Sequence, residues 1–291
     1  MLSTTLDEAV DPRKAAWYRI DAPPAALRHL AHPGVVIGIS LVVLALIGNH
    51  LTVNSADSIA VAPPLTGPSS GMWFGSDELG RDVFARALVG LRISLIVGAA
   101  SAGVAALIGV LVGAAAGFYG GVVDDLLMRA TELVMVVPRF FLAVLIVAMF
   151  GTSLVNMISA IAVLAWPIIA RIVRADVMSV RHRQFVDAAR ILGVGTLRLV
   201  MREILPNALT GAIVATTLGM GDAILLQAAL SYLGLGDPSQ ASLGLMLQEA
   251  QPIMRVAWWT AAFPGVLVFL AVLSSNLLGD RLQDWMNPRA K

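Results

Sequence analysis

Apolar stretches without Asp, Glu, Lys or Arg run from His29 to Ala56, Ile93 to Val123, Phe140 to Ala170, Ile204 to Gly221, Ala223 to Gly236 and Val256 to Gly279. A helix crossing about 30 Å of hydrocarbon needs about 20 largely apolar residues, so these stretches are read as membrane spans. Composition agrees, because 58% of the 291 residues are hydrophobic and only 13% are charged. A soluble domain carries about 25% charged residues, and a well-solvated globular surface cannot be built from half that share. The chain has no cysteine, which excludes disulfide frameworks, thiol chemistry and cysteine-ligated metals. Its four histidines, His29, His32, His50 and His182, are too few and too scattered for an imidazole-rich metal centre.

The predicted fold is all-α, a polytopic membrane protein with six transmembrane helices. The spans fall near 31–49, 94–117, two short spans within Leu133–Ala170 divided at Gly151, Thr152 and Ser153, then Ala208–Leu230 and Trp258–Leu278. An inward N-terminus places Arg13, Lys14, Arg19, Arg28, Arg129, the seven arginines from Arg171 to Arg202, and Arg281, Arg289 and Lys291 inside. Only Arg81, Arg86, Arg92 and Arg255 then lie outside, an asymmetry that predicts both termini in the cytoplasm. The expected organisation is a cytoplasmic segment 1–30, a transmembrane domain 31–280 and a cytoplasmic tail 281–291. The first apolar run starts too late for a cleaved signal peptide and is read as a retained anchor.

Within that frame, segment 50–92 is external. Its first part, with Pro63, Pro64, Gly67, Pro68 and Gly71, has the residues of an irregular crossing. From Trp73 onward, helical spacing of Val83, Ala87 and Leu91 predicts an interfacial helix leading into the second span, with docking of an external partner as a compatible role. In the second span Gly109, Gly113 and Gly117 form one stripe, read chiefly as a close helix contact. Asp124 and Asp125 sit on a short cytoplasmic turn and are read as solvated or facing a neighbouring subunit.

Residues 171–206 form a basic loop in which Phe185, Ala188, Ala189 and Leu192 repeat at helical spacing. Gly193 and Gly195 interrupt the pattern, and Leu197, Val200, Met201, Ile204 and Leu205 resume it. Two short amphipathic helices with a bend are predicted. Such a surface suits either a bilayer or a protein groove, and periodicity does not choose between them.

The string FVDAARILGVGTLRLVMREILPNAL resembles the cytoplasmic coupling motif of permease subunits in bacterial binding-protein-dependent ABC importers, through Asp187, Ala188, Ala189, Gly193, Leu205 and Pro206. FGSDELGRDVFARALVGLRISL, YGGVVDDLLMRATE, LSYLGLGDP and WWTAAFPGVLVFLAVLSSNLLGDRLQDWMNPR extend the likeness to the dipeptide, oligopeptide and nickel branch, and to the second permease of its heterodimeric pair. The likeness spans residues 30 to 289. Asp187 stands where the family usually has Glu, Glu203 where it has His, Gln227 where it has Glu, and Ser242 where Trp is common.

The resemblance implies a non-catalytic permease subunit in the bacterial cytoplasmic (inner) membrane, forming a solute pathway with a homologous permease. It implies two cytoplasmic ATPase subunits docked on Phe185, Asp187, Ala188, Ala189, Gly193, Leu205 and Pro206, and an extracytoplasmic solute-binding protein. Dipeptides or oligopeptides are the expected solutes; nucleic acid is not an expected partner. No cofactor is expected in this chain, and ATP and magnesium belong to the ATPase subunits. The only lysines, Lys14 and Lys291, lie in no Gly-rich phosphate loop.

Two charges fall within or beside spans. Arg139 is read as reaching the cytoplasmic boundary, Asp222 as lining the pathway or pairing structurally, and an Asp222–Arg139 pair is the joint alternative. The competing function is a secondary transporter driven by an ion gradient, against which stand the absence of visible repeated halves and the long basic loop.

Overall fold

The computed structural model describes residues 32–52 and 55–286. The N-terminal segment, the end of the tail and the placement of both termini lie outside these residues, as does His29. His32 caps the first helix, α1 (Pro33–Leu51), by accepting a hydrogen bond from Gly34 N at Nδ1, with Pro33 at the first helical position where no N–H is needed. The next helix, α2 (Val83–Tyr119), starts at Asp82, whose carboxylate accepts from the amides of Phe84 and Ala85. It ends at Gly120, where φ is +68°.

At 37 residues α2 is about 55 Å long, well beyond the hydrocarbon thickness. The interfacial helix and the second span expected separately are therefore one continuous rod. Among the described residues, and against the six spans expected, four helices are long and apolar enough to cross, or five if the bent pair described next counts as one span: α2, α5 (Leu154–Val180), α9 (Thr210–Leu230, continued to Leu235 by a wide turn) and α11 (Trp259–Met286). The predicted third span is not straight. Leu133–Val136 closes α3 (Gly121–Val136), while α4 (Arg139–Phe150) leaves at 85° across Val137 and Pro138. Pro138 supplies no N–H and pushes its predecessor out of helical backbone, which explains the break. With 12 residues α4 reaches only about 18 Å. The predicted division at Gly151–Ser153 does occur: Asn156 Nδ2 donates to the carbonyls of Phe150 (2.6 Å) and Gly151 (3.1 Å), closing the α4–α5 turn.

The Gly stripe of α2 sits directly against α5. A Cβ at Gly109 would lie 2.7 Å from Ile169 Cβ, and one at Gly117 would lie 2.7 Å from the Arg174 carbonyl. In lipid, where burial of apolar surface gives no driving force between helices, such backbone approach is what holds two helices together. The stripe is thus packing surface. On its other sides α2 meets α9 and α1, and α11 closes the bundle against α9 and α1.

The segment before α2 is irregular but anchored. Ser76 Oγ donates to the Pro63 carbonyl and accepts from Thr66 N, Trp259 Nε1 donates to the Ser76 carbonyl, and Phe74 stacks on Phe263. Asp77 and Glu249, the latter on the short helix α10 (Leu243–Ala250), share Arg81 and Arg86 in four ion pairs of 2.6–3.2 Å. The Arg86 side chain is only 5% exposed. Asp77→Asn withdraws the carboxylate both arginines use, and is expected to cost about 1.5–3 kcal/mol, the value of a hydrogen bond to a charged group. A lower melting temperature and faster tryptic cleavage at Arg81 would report it.

Candidate functional site

Two regions carry chemistry. The first is the unit that follows α5. After Val180 the chain forms α6 (Gln184–Ile191), bends at Gly193, and resumes as α7 (Thr196–Leu199). A wide turn over Val200–Ile204 then leads into α8 (Leu205–Ala208). Gly193 has φ +77°, a left-handed conformation that β-branched side chains resist. Pro206 lacks an N–H and its ring crowds the preceding turn, which accounts for the widening just ahead of it.

One face of this unit is turned inward: Val186, Leu199 and Ile204 are fully or almost fully buried in one cluster with Val173, Val177 and Val180 of α5 and Ala212 of α9. The opposite face is bare. Ile191 is 87% exposed and Leu192 82%, with Leu197 and Met201 beside them. Of the motif residues, Phe185, Asp187, Ala188, Gly193 and Pro206 are exposed, and Ala189 and Leu205 are half-buried. Asp187 accepts a 3.4 Å contact from Arg190, both exposed, so the pair itself contributes little. The inward anchors Val186 and Leu199 escaped the sequence reading because each adjoins an apolar residue, Phe185 or Val200, that the helical spacing selected instead.

The base of the unit is fixed by charge. Arg181 Nη1 donates to the carbonyls of Gly117 (2.8 Å) and Phe118 (3.0 Å) at the end of α2. Asp124 is neither solvated nor free: it is buried and takes a two-pronged contact from Arg174 of α5, Nη2 to Oδ2 at 2.6 Å and Nε to Oδ1. Helix α5 runs ten residues beyond Ala170, so that Arg174 lies on the span's own extension.

The second region lies among the spans. Arg139 and Asp222 line one cavity of ≈ 230 Å³. Its apolar walls include Ala102 and Ala105 of α2, Ile161, Leu164 and Ile168 of α5, and Ala215 and Leu226 of α9. Ile169 and Ile172 line it as well, so the cavity runs along α5 from Ile161 to Ile172. Among the described residues, Arg139 and Asp222 form no ion pair with each other or with any third group. Asp222 is exposed on the isolated chain. Above it, buried Gln227 accepts from Ser94 Oγ (2.9 Å) and donates to Ser231 Oγ (3.1 Å), a satisfied polar knot that ties α9 to α2. Among the described residues no cluster of His, Asp or Glu could hold a metal ion.

Comparison with known proteins agrees with this arrangement. Residues 109–291 match the family described as "Binding-protein-dependent transport system inner membrane component". The dipeptide transport system permease protein DppC of Alkalihalophilus pseudofirmus is 40% identical over 97% of this chain and 92% of its own length. DppC of Bacillus subtilis is 37% identical over 95% and 85%. The glutathione transport system permease protein GsiD of Escherichia coli is 37% identical over 91% and 88%. A chain of the MetNI methionine ABC transporter, solved in inward-facing conformations, shares the fold with a TM-score of 0.56 over 68% of this chain and 94% of that one, at 21% identity. An apolar bundle presenting an anchored amphipathic unit is what such a transport component requires, and the chain belongs to the family of binding-protein-dependent transport system inner membrane components.

Proposed function

We propose that this chain is one of two homologous permeases in an ATP-driven importer of dipeptides or oligopeptides, with both termini in the cytoplasm. Two ATPase subunits, which hold ATP and magnesium, dock on the unit containing Phe185, Asp187, Ala188, Ala189, Gly193, Leu205 and Pro206. An extracytoplasmic binding protein delivers the solute. The solute class rests on the permeases named for dipeptide and glutathione transport. The coupling role rests on one observation: a bare apolar face backed by a core shared with two spans. A push on α6 is passed through Val186, Leu199 and Ile204 to α5 and α9, the same helices that wall the cavity. ATP-driven closure of the ATPases would thereby bias the bundle between two states.

Asp222 supports the pairing with a second permease. A carboxylate bare to lipid in mid-span is costly, whereas facing a partner or an aqueous pathway it is tolerated. Arg139 and Asp222 are accordingly placed on the pathway.

Affinity purification in mild detergent is expected to recover one homologous permease and two ATPase subunits per chain, with ATP hydrolysis stimulated by dipeptide-loaded binding protein. A stable complex without ATPase, after controls for detergent loss, would overturn this function. A finer test addresses the bend. Gly193→Val has room for its side chain, since nothing lies within 4 Å of a Cβ there, but not the backbone freedom. The left-handed conformation costs an ordinary residue about 1–2 kcal/mol, whereas Asn enters it readily. Gly193→Val is expected to lower stimulated ATPase activity severalfold at unchanged membrane insertion, and Gly193→Asn to retain most of it.

A further inference from the structure

The Arg139–Asp222 cavity has a polarity of its own. Arg139 is the first residue of α4, and its N-cap, Pro138, contributes no side-chain hydrogen bond. The Arg139 guanidinium makes its end of the cavity a place for negative charge. Asp222 supplies a negative group on another wall, carried by α9. Between them the lining is almost wholly apolar, with Ala102, Ala105, Ile161 and Leu164. The two opposite charges line one cavity and, among the described residues, neither forms an ion pair. What complements the arrangement is a compact solute with an anion at one end, a cation at the other and an apolar body.

We propose that this cavity is a subsite for zwitterionic solutes with both ends free, the carboxylate at Arg139 and the ammonium at Asp222. The proposal rests on the pathway reading above and adds a chemical selection that the permease itself performs. An amidated solute loses the anion, and an acetylated one loses the cation, so either leaves a charge of the site unmatched.

The chain's lack of cysteine permits a direct test. Thr216→Cys, or Ala165→Cys as a second reporter, places a thiol on the cavity wall. In the assembled transporter, the rate at which a small maleimide modifies this chain is measured with glycyl-leucine, N-acetylglycyl-leucine or glycyl-leucinamide present. Glycyl-leucine is expected to slow labelling, and each blocked analogue to need about tenfold higher concentration for the same protection, the loss of one charge-assisted contact. Asp222→Asn should then erase the difference between the free and acetylated solutes, and Arg139→Gln that between the free and amidated ones. Equal protection by all three solutes, or none by any, would overturn the subsite. The comparison of solutes on either reporter alone decides it should a charge variant fail to assemble. A transporter that takes up no glycyl-leucine from its binding protein refutes the peptide reading, whereas uptake with identical labelling in all three solutes refutes only the subsite.

Discussion

Replacing Ile191 and Leu192 together with arginine is expected to strip the ATPase subunits from the complex while leaving the permease inserted and folded. Both side chains are more than four-fifths exposed and neither belongs to the inward cluster, so the chain's own packing loses nothing. If they fill a groove on an ATPase, each buries an aliphatic side chain worth about 1.5–3 kcal/mol, and the pair about 3–6 kcal/mol. Two buried, unpaired guanidinium groups would add to that loss. A fall in ATPase affinity of at least about 100-fold follows, since each 1.4 kcal/mol is a factor of ten. Copurification from matched membranes reads the outcome. Retention of both ATPase subunits at wild-type yield would show that the docking face lies elsewhere. Val186→Arg should behave differently, because Val186 is fully buried and its replacement would unseat the unit from α5 and α9.

The second large effect is expected inside the bundle. Gly113→Leu drives a side chain into α5, where a Cβ alone would meet the Ala170 carbonyl and lie 2.8 Å from Val173 Cβ and 3.0 Å from Arg174 N. Backbone atoms cannot step aside as side chains can, so α2 and α5 must separate. Overpacking costs about 1–3 kcal/mol where side chains can adjust, and a backbone obstruction belongs at or above the upper end. The damage should also spread, because the Arg181 contacts to Gly117 and Phe118 and the Asp124–Arg174 pair depend on the same approach. A melting temperature lowered by several degrees, or loss of monodisperse protein in detergent, is the expected result. Gly103→Leu on the same helix is the control, since nothing lies within 4 Å of a Cβ there. Equal stability of the two variants would refute the packing role of the stripe.

Much of this molecule follows from local sequence. Hydropathy over about 20 residues marks the long helices, and spacing at 3.6 residues marks α6 and α7 with their bend at Gly193. Where local reading failed, the cause was a break or an extension that hydropathy does not register. Pro138 divides an apolar run without changing its composition, and α5 continues through Arg171, Arg174 and Asp176 because a helix can project beyond the bilayer. Asp124 was legible as a carboxylate, but not as the partner of an arginine 50 residues away.

By itself, then, the sequence determined an apolar helical protein with an amphipathic basic unit, since these depend on each residue's preference for hydrocarbon or water and on the helical period. Tertiary structure alone decided that Gly109, Gly113 and Gly117 face α5, that Val186 faces inward while Ile191 faces out, and that Arg139 and Asp222 share a cavity without pairing. The physical reason is that helices inside a membrane are equally apolar on most faces. Which face meets which neighbour is settled by the fit of small and large side chains across helices, a relation between distant segments that no single stretch of sequence contains.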